Sequence, residues 1–196
     1  MPHVDPEPLD VLVYPHPSLR KPARAITPDE VKAGRADGWD LAELVARMTV
    51  TLYANKGIGL AATQVGVGLR LFLVDISKDE DGLMAIANPV LTDMRGSVVE
   101  EEGCLSVPEI RAKVKRYAEL TLTGVSVKGG PISFEAEELL ARACQHEVDH
   151  LDGILFINRL GIAGRLMVRK QLAQLEDDYR RLQARKLRAH AVPAAR

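Results

Sequence analysis

The segment "QHEVDHLDG" (residues 145–153) sets His146 and His150 four positions apart, with Glu147 directly after the first. On a helix, residues i and i+4 lie one above the other, so both imidazoles can face a single cation, with Glu147 as its neighbour. A hydrolytic centre needs three protein ligands, one position left for water, and a base within reach of that water. The competing account is two solvated histidines on an ordinary amphipathic helix.

The third ligand must come from elsewhere. In metzincin proteases a further histidine follows three residues after the glycine; here Gly153 fits, but the next slot holds Phe156, which excludes that pattern. A downstream glutamate is the gluzincin solution, and the only one is Glu176, in a charged tail. Cys104 is the better candidate. It lies in "EEEGCLSVP" (100–108), where the glycine allows a tight bend and three acids keep the segment near solvent. A buried structural cysteine is the alternative. Cys144 sits about 200° around the axis from His146, on the face of Leu140, Val148 and Leu151, and is expected in the core.

Length and composition bound what can position these residues. The 196 residues suffice for one domain with tails, and 46% hydrophobic with 27% charged residues is ordinary for a globular chain. Two cysteines make no disulfide framework. Apolar runs such as "LRLFLVDI" are too short to span a bilayer, and the first ten residues lack the features of a signal peptide, so a cytoplasmic protein without membrane contact is expected. The net charge of -1 predicts no general attraction to nucleic acid, DNA included, yet from Arg165 onward nine Lys/Arg face three Asp/Glu.

Residues 1–30 are proline-rich and expected as an extended arm over the body. The stretch "WDLAELVARMTVTLYANKG" (39–57) is expected to be a helix stopped by Gly57. Short apolar or alternating runs follow, separated by "DEDG" and "VKGGP", which suits antiparallel strands and hairpins. Helices are expected over Glu135–Leu151 and from Ile162 to about Arg188. The order predicts an α+β fold, with antiparallel strands packed around a central helix carrying the H-E-x-x-H motif and helices at either end. Residues 1–164 are expected to form a single catalytic metallohydrolase domain, and 165–196 a basic helix and tail. Val168, Leu172, Leu175, Tyr179 and Leu182 form a narrow apolar stripe on that helix, suited to docking on the body or on another copy.

Three segments together, "GIGLAATQ" (57–64), "EGCLS" (102–106) and "QHEVDHLDG", resemble the motifs of peptide deformylase, in the same order, and no motif position departs from that pattern. The resemblance covers roughly residues 8–160. It implies hydrolysis of the formyl group from the N-terminal formyl-methionine of newly made polypeptides, with Cys104, His146 and His150 holding one divalent metal. Ferrous iron is implied in the cell, with zinc, nickel or cobalt substituting; the donor set alone does not select among them. Glu147 would act as general base and acid, and the Gln64 amide and Leu105 backbone N–H would donate to the oxyanion. The backbone of Ile58, Gly59 and Gly103 would pair with the substrate strand.

Leu139 and Ala143 share a helical face with the histidines and, with Ile58, would form a methionine pocket, or else are simply core. Glu102 and Arg116 resemble a pair bracing the cysteine loop; two solvated charges is the alternative. "GIGLAATQ" as a phosphate loop lacks the Walker lysine. The resemblance further implies that the basic helix contacts ribosomal RNA, against the alternative of a solvated charged face. Two other functions stay open on the residues alone: a zinc peptidase in which Cys104 is structural, and a ribosome-associated binding protein whose metal is structural.

Overall fold

In the computed structural model, which describes residues 6–191, the proline-rich start is less extended than its composition predicts. Pro17–Arg20 forms a 3-10 turn and Pro28–Ala33 a short helix, α1. Both begin with proline, whose missing N–H costs nothing in a first helical turn. The Thr27 hydroxyl accepts from the Glu30 N–H at 3.2 Å and the Glu30 carboxylate accepts from the Thr27 N–H at 2.8 Å, the reciprocal cap written into "TPDE". The extended part is pinned through its backbone: Leu12 N–H donates to Gln64 O at 2.7 Å and Tyr14 N–H to Ser106 O at 2.8 Å.

A two-residue hairpin follows, β1 (Arg35–Ala36) with β2 (Trp39–Asp40), and then α2 (Leu41–Ala54). The helix starts later than the apolar pattern from Trp39 predicts because the Asp40 carboxylate caps it, accepting from Ala42 and Glu43 N–H, both at 3.0 Å. At its end Lys56, not Gly57, takes the left-handed conformation, with φ 52°.

The strands are β3 (Gly59–Ala61), β4 (Leu71–Val74), β5 (Met84–Arg95), β6 (Val98–Cys104), β7 (Val107–Arg116), β8 (Glu119–Ser126) and β9 (Pro131–Glu137). Five of them form an antiparallel sheet in the order β3-β4-β5-β8-β9, while β6 and β7 pair only with each other. Every residue of β4 is buried. Leu71 and Leu73 pack with Leu44, Met48 and Leu52 of α2, whereas Phe72 and Val74 pack with Ala141, Cys144 and Leu151. Side chains alternate across a strand, so a short all-apolar run is what a strand between two layers requires. Burying each such Leu or Phe contributes about 1.5–3 kcal/mol.

The second layer is α3 (Glu138–Leu151), packed on β3, β4, β8 and β9. It begins at Glu138 and not at the expected Glu135, because Glu135 and Glu137 pair with Thr121 and Glu119 in the sheet. Glu138, at φ 48°, then turns the chain out of the strand. After α4 (Phe156–Arg159) comes the long α5 (Ile162–Ala191). Its stripe docks on the body: Val168 is buried, and Leu172 and Leu175 pack with Leu19, Val107, Val114 and Phe156. The Tyr14 hydroxyl donates to Glu176; burial, and then this bond, raise the phenol to about 12. Leu182 is 48% exposed, beyond the docked part. Residues 1–5 and 192–196, the outer ends of the expected arm and tail, lie outside the described residues.

Candidate metal centre

Cys104 closes β6 at a break in register: Gly103 faces Arg111, but Cys104 faces Val107. A bulge of this kind re-aims the side chain that follows it. His146 and His150 stand one turn apart on α3 with ring centroids 4.9 Å apart. The Cys104 sulfur lies 3.2 Å from His150 Nε2, and the donor atoms of Cys104, His146 and His150 all fall within 4.8 Å of one another. Tetrahedral coordination with metal–sulfur and metal–nitrogen bonds near ~2.3 and ~2.0 Å separates S from N by roughly 3.5 Å. The three side chains therefore fit one divalent cation, and no other such cluster of three occurs among the described residues.

A chain of ion pairs holds the ligands in place. Glu102 Oε2 lies 2.9 Å from His146 Nδ1, which orients the ring with Nε2 toward the sulfur, the common arrangement behind a histidine ligand. Glu102 also receives Arg116 Nε at 2.8 Å and Nη2 at 3.0 Å. Arg116 continues to Asp149, and Asp149 to Arg159. Despite burial, His146 and Arg116 hold the Glu102 carboxyl down at about 2. Sequence reasoning paired Glu102 with Arg116 but assigned the pair to the cysteine loop; in the structure it braces His146 as well. Asp149 and Arg159 were missed. The available signal was Asp149 itself, a carboxylate between two histidines on a buried helix, which requires a cationic partner.

Burial works against charge on His146, yet Cys104 and Glu102 outweigh it and hold the imidazole well above 6.5. His150 is pushed well below its ordinary value by burial, with His146 and Arg116 adding to the effect. The two rings thus take up protons unequally, and only His146 favours the imidazolium form.

Glu147 is 3% exposed, and its Oε2 has no hydrogen-bond partner among the described residues. Burial pushes its carboxyl up to about 7, with His146 opposing and Glu102 adding. A carboxyl with one unpaired oxygen and a pKa near neutrality, beside a candidate cation site, is suited to passing a proton in both directions. Gly59 makes room for it. A Cβ at that position would meet Glu147 Oε1 at 2.3 Å, so the glycine serves the carboxylate directly, a reason invisible in sequence.

The Gln64 amide is locked: its Oε1 accepts from Ala61 N–H at 2.8 Å, while its Nε2 donates to the Ser106 hydroxyl at 3.1 Å and lies 3.5 Å from the Cys104 sulfur. Ser106, fully buried, is a third residue missed in the sequence, although it stands within "EGCLS". A groove of about 670 Å³ opens in front of these groups. Ile58, Gly59, Gly103, Leu105, Leu139 and Ala143 all line it, so the structure brings together every residue that the sequence nominated. Ile58 is 43% and Leu139 38% exposed, which sets them on the groove wall and not in the core. Cys144 is fully buried behind them, its thiol driven up to about 12 by burial, then by Glu147. A larger cavity of about 800 Å³ lies behind α3 against Gln145, Val148 and Asp149, and none of the three candidate ligands lines it.

Comparison with known proteins points the same way. The family model described as Polypeptide deformylase matches residues 8–165. The chain is 42% identical over 165 residues to a peptide deformylase of Thermodesulfovibrio yellowstonii, covering 83% of this chain and 95% of that protein. Among solved structures, a peptide deformylase from Legionella pneumophila superimposes with TM-score 0.74 at 36% identity, covering 91% and 98% of the two chains. A plant peptide deformylase gives TM-score 0.82 at 31% identity, covering 90% and 94%. A match across most of the chain, on a fold that gathers the three motifs around one groove, shows that the chain belongs to the polypeptide deformylase family.

Proposed function

We infer that this chain performs its family's reaction, the metal-dependent hydrolysis of the formyl group from the N-terminal formyl-methionine of newly synthesised polypeptides, releasing formate. The observation that carries the inference is the convergence of Cys104, His146 and His150 beside the unpaired Oε2 of Glu147 at the floor of a groove. Those three residues would hold the divalent ion, which when bound supplies Lewis acidity, lowering the pKa of a water and withdrawing charge from the formyl oxygen.

The rest is the work of the protein's own groups. Glu147 takes the proton from the attacking water at its unpaired oxygen and returns it to the nitrogen of the leaving methionine amine. Gln64 Nε2, held by Ala61 and Ser106, donates to the oxygen that becomes negative in the tetrahedral intermediate, together with the Leu105 N–H. The backbone of Ile58, Gly59 and Gly103 pairs with the substrate main chain: β3 is the edge of its sheet and β6 pairs only with β7, which supports strand addition between them. Leu139 and Ala143, with Ile58, receive the methionine side chain.

Formate release from formyl-Met-Ala by anaerobically prepared protein, with metal content assayed on the same sample, tests this function. Cleavage of internal peptide bonds instead would favour a peptidase, and failure with every divalent metal would overturn the reading. The donor set suits Fe²⁺, Zn²⁺, Ni²⁺ and Co²⁺ alike, so ferrous iron in the cell rests on family likeness. Its check is loss of iron and activity together on exposure to air.

Residues 1–164 are proposed as the catalytic unit, in the cytoplasm, and 165–196 as an appended basic element that contacts ribosomal RNA. No helix among the described residues is long and apolar enough to cross a membrane, and Arg169, Lys170 and Arg185 are exposed on α5. Because Val168 and Glu176 anchor α5 to the body, deleting the segment would disturb the fold. Replacing Arg169, Lys170 and Arg185 with glutamate is the cleaner test, and ribosome affinity with unchanged salt dependence would refute the contact.

A further inference from the structure

Arg142 stands on α3 one turn before His146 and beside Ala143, and it lines the same groove as Leu139, Gly103 and His146. It is half-buried, yet it has no hydrogen-bond or ion-pair partner among the described residues. Its neighbours are differently placed. Arg111, on the opposite bank, reaches Glu101 at 3.6 Å, and Arg116 and Arg159 are tied to Glu102 and Asp149. Arginine buries its stem along apolar surface while its charged head faces the solvent of the groove, and with no carboxylate of the described residues paired to it, the counter-charge that fits it is an anion arriving with the substrate.

Register identifies which part of the substrate that is. An extended chain added to a sheet edge sends alternate side chains to the same face. If the first residue directs its side chain toward Leu139 and Ala143, the third residue projects to that same α3 side, where Arg142 waits, and the second projects away.

We propose that Arg142 is a specificity-determining residue that favours formylated peptides with Asp or Glu at the third position. The proposal rests on the deformylase function argued above. The third side chain is remote from the reacting carbon, so the preference belongs to binding and appears in KM more than in kcat.

The test measures kcat/KM for formyl-Met peptides carrying Asp or its neutral isostere Asn at position two, three or four. The holoenzyme is compared with Arg142→Met, which keeps the apolar stem, and with Arg142→Lys. The expected Asp/Asn ratio is about three- to tenfold at position three only. It should be carried by KM, reduced by added salt, near unity in Arg142→Met and partly retained in Arg142→Lys. Each variant is normalised to its own turnover of the Asn peptide. Formate release from the Asn peptides shows the activity present, so a flat ratio in the wild-type enzyme, a preference at position two or four alone, or a ratio preserved in Arg142→Met overturns the role of Arg142 specifically. Absence of formate from every peptide overturns the activity, and this inference with it.

Discussion

Gly59→Ala should disable the enzyme while sparing its fold and its metal, and the size of the loss can be worked from the structure. An added Cβ would stand 2.3 Å from Glu147 Oε1, 2.8 Å from Cδ and 3.0 Å from Cγ. Ordinary contact needs about 3.4 Å or more, so the carboxylate must withdraw by roughly 1 Å. β3 cannot give way easily, since Gly59 pairs with Val74 and Ala61 with Phe72 in the sheet. Displacing a reacting group by about 1 Å costs on the order of 10²-fold in rate. Gly103→Ala is the matched control, because its Cβ would meet Arg111 side-chain atoms at 3.4–3.7 Å, a contact needing no displacement. Formate release under anaerobic conditions should show kcat reduced about 10²-fold in Gly59→Ala, with metal content and Tm near wild type. Gly103→Ala should lose far less kcat. Equal effects of the two alanines, or a Gly59→Ala loss that follows metal content, would refute the claim that this glycine exists to seat Glu147.

Glu147→Gln should lower kcat by about 10²–10⁴-fold with metal retained. In chelated protein it should also stabilise the fold above neutrality. Burial raises that carboxyl from 4.5 to about 7, so its contribution to stability is full below about pH 4.5 and is lost as pH rises through 7. Removing the ionisable group should recover up to about 3 kcal/mol there and flatten the pH dependence, as denaturant titrations would show. Glu102→Gln should weaken metal affinity by about 10–100-fold, since it loses the charged partner of His146; competition with a chromophoric chelator measures this, and unchanged affinity would count against the bracing role. Metal uptake by chelated protein at pH 7 should release protons, because His146 then holds one. Calorimetry in buffers of different ionisation enthalpy would detect it, and buffer-independent heats would contradict the assignment.

How much of this was legible beforehand depends on the range of the forces involved. The His146/His150 pair, the glycine-flanked Cys104 and the motif order are local features and could be read directly, whereas the meeting of sulfur and rings across 46 residues could be expected only from the family resemblance. The run "LFLV" reads in sequence only as a short strand, and its cover on both faces is seen in the structure, where every residue of β4 is buried. The misplaced boundaries have local competitors that apolar periodicity ignores. The Asp40 cap ended one segment and began another, the Thr27–Glu30 box made a helix in a proline-rich arm, and pairing of Glu135 and Glu137 with β8 kept them in the sheet.

The residues missed at the site are of a different kind, since each acts through a partner far away in sequence. Asp149 binds Arg116 and Arg159, and Ser106 holds Gln64, while Tyr14 binds Glu176 from the opposite end of the chain. The arm therefore ties both site loops, through the carbonyls of Gln64 and Ser106, to the helix α5. Hydrogen bonds are strong only when their geometry is fixed. A groove in which the Gln64 amide is held at Ala61 and Ser106 is accordingly more rigid than its glycine-rich sequence suggests. The same rigidity separates the roles of the two charged helix residues that face the groove. Glu147 is confined by Gly59 and the sheet, a fixed position that suits the proton transfer proposed for it. Arg142, with no hydrogen-bond or ion-pair partner among the described residues, is left for the acidic side chain proposed at the third position of the substrate.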